Sequence, residues 1–294
     1  METYAVVRAH GIKSRLLSKQ DYQALVAGTK QIWEFPDYAY ISEQDPLEKK
    51  LEKVYKVYID RIAPLTKIPK VSDLTFTFLD RLEVENIKFH LRFIAGYQRP
   101  VLYYPYGRLL GLEKLRSLGS EVSIWEALSD TPLKAPKTPG FTTGLIAERE
   151  ALLEILYYRY LTSIITNLKW RKDIIAALMD LVSSDFTVRY VYWVKLLSEN
   201  TVHYLIESYA PELKVQSELL ESLEGTSTTE ILQKGTRMLV SRVLKGIRTH
   251  PLDPAYIYIL NHLLLIEAQN LEKILLGKEL RIPEKVILSN LILL

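Results

Sequence analysis

The 294-residue chain contains no cysteine. That excludes a disulfide framework and thiolate chemistry, and it suits an intracellular location. Phosphate-binding glycine signatures are missing as well. Gly277-Lys278 is followed by Glu279 and lacks the upstream glycine of a phosphate loop, and no dinucleotide fingerprint occurs. His10, His90, His203, His250 and His262 are dispersed and form no metal-ligand spacing. No Gly-x-Ser-x-Gly elbow places a nucleophile. These absences predict a protein with no catalytic residues, no cofactor and no metal. Long apolar runs are also lacking. The longest, Ala255 to Ile266, includes Asn261 and His262, and at about a dozen residues it falls short of the roughly 20 a membrane span needs. Met1 to Leu25 carries scattered charges and no apolar core, so no signal peptide is expected. The formal net charge of +3 is too mild to argue for nucleic acid.

What is present is an ordinary globular composition, 48% apolar and 25% charged, enough to bury a core in one to three domains. One pattern recurs. Leu82-Glu83-Val84-Glu85-Asn86-Ile87-Lys88-Phe89-His90-Leu91-Arg92 reads acid, two residues, Asn, aliphatic, with a leucine five residues after the Asn. Ile266-Glu267-Ala268-Gln269-Asn270-Leu271-Glu272-Lys273-Ile274-Leu275 repeats it. A weaker copy keeps Asp185 but has Val188 in place of the Asn. Leu51, Tyr55 and Tyr58 return 102 residues later as Leu153, Tyr157 and Tyr160, and Ile32-Trp33-Glu34 is echoed by Ile124-Trp125-Glu126. Such echoes predict one helical module used three times, over residues 1–101, 102–198 and 199–294.

The periodicity predicts an all-α chain. Helices are expected over Tyr4 to Leu17, Asp21 to Trp33, and Leu47 to Leu65, the last capped by Asp45 before Pro46 and ended by Pro64 and Pro69. A further helix starts at Ser72-Asp73 and runs to Leu82, with the Glu83 motif behind it. In the second module short helices cover Leu112 to Leu118 and Ser123 to Leu128. The prolines and glycines between Pro132 and Gly144 form an exposed loop. Leu145 to Leu168, Asp173 to Val182 and Asp185 to Leu197 follow, with Phe186 to Val194 rich in strand-favouring residues. In the third module Glu212 to Leu223, Glu230 to Ile247 and Ala255 to Leu276 are helical. Asp253-Pro254 starts the last of these and Gly277 ends it. Pro283-Glu284 opens a short final helix before the apolar Leu291 to Leu294, which is assigned to the core.

An acid three residues before an Asn lies on the same helix face. Turned inward, both need polar partners, and an Arg or Lys on another helix is the natural one for the acid. Glu83, Asn86, Asp185, Glu267 and Asn270 are therefore assigned a structural role. Lys169-Trp170-Arg171-Lys172 mixes cations with an aromatic and is read as a solvated helix end or loop.

Tyr4-Ala5-Val6-Val7-Arg8-Ala9-His10-Gly11-Ile12-Lys13-Ser14-Arg15-Leu16-Leu17 resembles the N-terminal signature of the C-type subunit of archaeal A-type (V/A-type) ATP synthases, a family related to the d-type subunit of vacuolar ATPases. Glu85-Asn86-Ile87-Lys88 with Leu91-Arg92 is similar to that family's Asn-Ile-Lys-x-x-x-Arg segment, and Glu267 to Lys278 resembles its C-terminal copy. The similarity runs from end to end. Two departures stand out: Phe93-Ile94-Ala95 precede Gly96 without a following lysine, and the middle copy lacks the Asn. The resemblance implies three similar helical domains forming a funnel about a pseudo-threefold axis. It implies a non-catalytic rotor component that couples central-shaft subunits of the D and F type to the membrane proteolipid ring, at the cytoplasmic face of the cell membrane, without nucleic acid. Arg8, Arg15, Lys88 and Arg92, in the family-like segments, become candidates for the polar core and funnel lining. The other readings are an all-helical scaffold or adaptor outside any ATPase, and a helical nucleic-acid-binding protein.

Overall fold

The computed structural model describes residues 2–98, 100, 102–249 and 254–293, without the side chains of residues 2, 229, 243 and 246–249. Among the described residues there are thirteen α-helices and no strand. His250, Leu294 and the Asp253 of the expected Asp253-Pro254 start signal lie outside them. The backbone divides into two compact units. Unit 1 joins the chain ends, Met1–Thr75 with Val240–Leu294, and unit 2 is Phe76–Leu239. The expected boundaries at 101 and 198 are not where this division falls. The chain ends meet because their apolar faces bury each other, which no local pattern records.

Unit 1 contains α1 (Glu2–Lys13), α2 (Lys19–Ala27), α3 (Leu47–Thr66), α12 (Tyr256–Glu279) and α13 (Glu284–Asn290). Along α3 the buried positions Leu51, Val54, Tyr55, Tyr58, Ile62 and Leu65 recur at three- and four-residue spacing. That stripe packs on α12. Helix α12 is buried on nearly every side, from Tyr256 through Ile274, and acts as the unit's central helix. Leu291 and Ile292 are buried, as the apolar tail predicts.

Unit 2 holds most of α4 (Ser72–Ile94), then α5 (Leu112–Ser117), α6 (Glu121–Leu128), α7 (Ile146–Asn167), α8 (Lys172–Leu196), α9 (Glu199–Tyr209), α10 (Ser217–Leu223) and the first part of α11 (Thr228–Thr249). Here α7 is the central helix. Leu152, Leu153, Ile155, Leu156, Tyr157, Tyr158 and Leu161 are buried around its circumference, together with Glu148, Glu150 and Glu154.

Several local expectations change. The first helix stops at Lys13, and the backbone of Leu17 bonds elsewhere, as described below. Gly28, at φ 71°, caps α2, and Ile32–Glu34 and Pro36–Tyr38 are single 3-10 turns. Asp45 does not cap α3. Its carboxylate accepts the Ser42 N–H at 2.7 Å and pairs with Lys53, while Pro46 takes the cap position. Pro64 lies inside α3, in its last turn. The Ser72 helix and the Glu83 motif are one helix, as are the two expected halves of α8; Phe186 to Val194 is helical because its Val and Tyr side chains pack laterally on α10 and α11. Glu199–Tyr209 is a helix not expected from the pattern, and α10 begins at Ser217, not at Glu212. Gly277 does not end α12. The left-handed position is Arg281, at φ 54°, and the Ile282 N–H donates back to the Gly277 carbonyl at 2.8 Å. Gly277 instead permits close packing, since a Cβ there would sit 2.7 Å from Ile287 Cδ1.

Candidate functional site

The repeated acid–x–x–Asn forms the same device in each unit. On α4, Asn86 exchanges two hydrogen bonds with Tyr104: the Tyr104 N–H donates to Oδ1 at 2.7 Å, and Nδ2 donates to the Tyr104 carbonyl at 3.0 Å. On α12, Asn270 does so with Ile292, at 3.0 and 2.8 Å. A primary amide carries a donor and an acceptor side by side, so it pairs with one extended residue as a neighbouring strand would. Both amides are buried, and these bonds satisfy main chain that water cannot reach.

The acid, one turn earlier, binds the backbone that enters a short helix. Glu83 accepts four consecutive N–H groups, from Arg108, Leu109, Leu110 and Gly111, at 2.6, 2.6, 2.7 and 2.8 Å. Gly111, at φ 83°, completes this concave row of donors directly before α5. Glu267 accepts the Leu17 N–H at 2.6 Å, just ahead of α2. It also accepts the Tyr38 hydroxyl at 2.7 Å and the Arg61 guanidinium. An arginine on another helix is thus the partner of Glu267, as expected, whereas Glu83 is met by backbone donors alone. Beside Glu267, burial and that carboxylate's charge push the Tyr38 phenol well above its ordinary pKa, so it stays a donor. Burial would lower the Arg61 pKa, but Tyr38, Glu267 and Asp37 together hold it raised, and it stays charged.

The middle copy does the same work with other residues. Asp185 accepts the Tyr158 hydroxyl at 2.7 Å. The entry to α10 is held instead by Thr187, whose hydroxyl accepts the Gln216 N–H at 2.9 Å. Ser184 donates to Gln216 Oε1 at 2.9 Å, and Gln216 Nε2 donates to Asp180 at 2.8 Å. Val188 joins an apolar cluster with Val191, Leu219, Leu223 and Ile231. It lies so close to α11 that a Cβ on Gly235 would come within 2.4 Å of its Cγ1. An amide cannot be satisfied there, which accounts for valine at that place.

The four cationic candidates separate by burial. Lys88 is 4% exposed and pairs with Glu154 at 2.6 Å and Glu85 at 2.9 Å. That is a core position, not a lining one. Arg92 is half exposed and grips Glu150 with Nε and Nη2, the latter at 2.7 Å. Arg15 is exposed and pairs with Asp37 at 3.0 Å. Arg8 is exposed on α1, its guanidinium donating to Tyr4 at 3.0 Å, beside the exposed Val7.

A buried ionic network in unit 2 was not read from the sequence. Glu154 receives Lys88 and the Trp193 indole N–H at 2.8 Å, with Arg81 and Arg189 each at 3.8 Å. Burial alone would raise the Glu154 pKa; Lys88, Arg189 and Arg81 outweigh it and hold the carboxyl far below its usual range. Asp80 is fully buried against Arg108, Tyr106 and Tyr160. There burial dominates and keeps its pKa raised despite Arg108. The partners come from separate stretches of the chain, so no spacing announces them. One signal was available: Arg15-Leu16-Leu17 returns as Arg108-Leu109-Leu110, and the last leucine of each gives its N–H to the motif acid.

Chemically these groups hold main chain and neutralise buried charge. Among the described residues no cluster of three metal-ligating side chains occurs, and no helix is long and apolar enough to cross a membrane. The chain matches no protein-family model and no curated protein.

Proposed function

We propose that the chain is a central-stalk rotor subunit of an A-type (V/A-type) ATP synthase or ATPase, a non-catalytic socket between the central shaft and the proteolipid ring. The observation that carries this reading is the repeated clamp. The motifs through which the sequence resembles the C-type subunit family, around Asn86 and Asn270, play one structural part in two places, each fastening the entry to a short helix. A third, altered version at Thr187 and Gln216 extends the pattern. Three repeats are what a funnel with pseudo-threefold symmetry requires. Torque transfer needs stiff modules, and buried carboxylates tied to backbone on several sides resist shear better than apolar packing alone. In this reading the protein sits at the cytoplasmic face of the cell membrane through the ring, contributing to ion transport and ATP synthesis without a chemical step. Arg8, with Tyr4 and Val7 exposed beside it, is the favoured contact among the four cationic candidates; Arg15 and Arg92 are partly engaged, and Lys88 serves the core.

The test is reconstitution of the purified chain with the D- and F-type shaft subunits and with the proteolipid ring, followed by size-exclusion chromatography. Co-elution with shaft and ring is expected. Arg8→Glu should weaken shaft or ring binding with an unchanged melting temperature, whereas Lys88→Glu should lower the melting temperature. Absence of any complex with either partner overturns the reading in favour of a helical scaffold outside the ATPase.

A further inference from the structure

The loop from Pro132 to Gly144 is irregular in sequence but held in a fixed shape. Glu148, fully buried at the start of α7, accepts four hydrogen bonds from Thr142 and Thr143, each backbone N–H and each hydroxyl, at 2.7 to 2.9 Å. The Gly140 N–H donates to the Tyr209 hydroxyl at 2.7 Å, and Arg159 donates to the Lys134 carbonyl. Lys137 lies over the Tyr204 and Tyr209 rings, 5.6 and 5.3 Å from their centroids. So many ties on a loop that contributes little to the core call for a reason, and the space it encloses supplies one.

Between this loop and α6 lies a cavity of about 680 Å³, inside the roughly 300–1,000 Å³ range of small-molecule sites. Its walls are Val122, Trp125, Pro136, Pro139 and Phe141. The Trp125 and Phe141 rings stand 5.9 Å apart at 42°, and Arg149 backs Phe141 at 4.0 Å. The Trp125 indole N–H is spent on Glu121 at 3.2 Å, and Glu121 is itself paired with Arg149. Those polar groups are therefore satisfied within the wall, and the faces they orient are apolar. The lining also carries Lys134 and Lys137, neither paired with a carboxylate among the described residues, and two carboxylates, Glu126 and the Arg149-paired Glu121. With Arg149 offsetting Glu121, the two lysines face one uncompensated carboxylate, which gives the mouth a modest positive bias.

We infer that this cavity is a preorganised binding site for a small aromatic organic anion, its ring against the Trp125 and Phe141 side chains that line the cavity and its anionic group at Lys134 and Lys137. The site lies wholly within unit 2 and does not depend on the rotor reading. Ring faces and proline edges supply contact area at little entropic cost, because the loop is already fixed. The lysines supply sign selectivity more than affinity, since exposed charge pairs are weak.

The experiment titrates the full chain with anilinonaphthalene sulfonate and, separately, with uncharged phenylnaphthylamine, reading dye fluorescence and calorimetric stoichiometry. One equivalent of the sulfonate should bind, several-fold more tightly than the neutral dye. Val122→Trp, at a position 66% exposed and tolerant of bulk, should abolish that binding by filling the mouth. Lys134→Glu with Lys137→Glu should weaken the sulfonate by roughly three- to tenfold at low salt and leave the neutral dye unchanged, while Glu126→Gln should tighten it. The inference is overturned if no one-equivalent binding occurs, if Val122→Trp binds like the parent, or if both dyes bind equally.

Discussion

Glu83 and Glu267 occupy the same place in the same motif, yet they are neutralised differently. Glu83 receives four backbone N–H groups and, among the described residues, no cation, whereas Glu267 receives one N–H, a phenol and the Arg61 guanidinium. Ionised carboxylates cost several kcal/mol to bury unless such partners surround them. The comparison teaches that the motif fixes where the charge sits, while the incoming segment decides what meets it. Unit 2 could spare the cation because Gly111 lets four donors converge. In unit 1 the segment enters with a single N–H at Leu17, and Arg61 and Tyr38 make up the difference.

The largest expected effect breaks this comparison directly. Glu267→Gln leaves the buried Arg61 guanidinium with Asp37 as its remaining carboxylate partner beside the Arg15 carbonyl, and should destabilise by about 3 kcal/mol. Adding Arg61→Met should recover part of that loss, because the orphaned charge is then gone. Glu83→Gln should cost about 2–3 kcal/mol through donors left unmet, and it has no side-chain cation whose removal could rescue it. Chemical denaturation of the three variants checks this; rescue absent at Glu267 would refute the assigned division of labour.

A smaller effect addresses the middle copy. Gly235→Ala should destabilise by roughly 1–3 kcal/mol, since the new Cβ would overlap Val188. Val188→Ala in the same chain should relieve the strain. If Gly235→Ala alone melts like the parent, then close packing is not why valine replaces the amide there.

The smallest effect sharpens the contrast between two carboxylates of unit 2. The folded pKa of Glu154 lies far below its ordinary 4.5, so its contribution is fully present above about that pH and fades as pH falls towards the folded value. Asp80 has the opposite sign: its folded pKa is raised above 3.8, so its linkage favours the folded state below 3.8 and is lost as pH rises through the folded value. Melting temperatures followed from pH 7 to 3 should therefore fall less steeply for Glu154→Gln than for the parent, and more steeply for Asp80→Asn. Parallel curves for all three would show that neither ionisation is linked to folding.

Much of this was legible in the residues. Three- and four-residue spacing of Leu51, Val54, Tyr55, Tyr58 and Ile62 is a local property, and α3 follows from it. The repeat of acid and Asn correctly marked inward-facing polar side chains, because an acid and an amide one turn apart must share a surface. The tail at Leu291 and Ile292 was apolar enough to require burial. In the site, the sequence singled out Glu83, Asn86, Asp185, Glu267 and Asn270 for a structural role, and Arg8, Arg15, Lys88 and Arg92 without sorting them by burial.

What only the tertiary structure decided concerns partners distant along the chain. Asn86 meets Tyr104, Asn270 meets Ile292, and Glu267 meets Leu17 from the opposite end of the chain. Thr187 takes the place of the motif acid at the entry to α10, and Glu154 collects three cations from two helices. Helical periodicity encodes which side of a helix is buried, since that depends on neighbours three and four residues away. It carries no record of which backbone segment arrives on that side, because that is set by loop paths and by the requirement that every buried donor and acceptor be met.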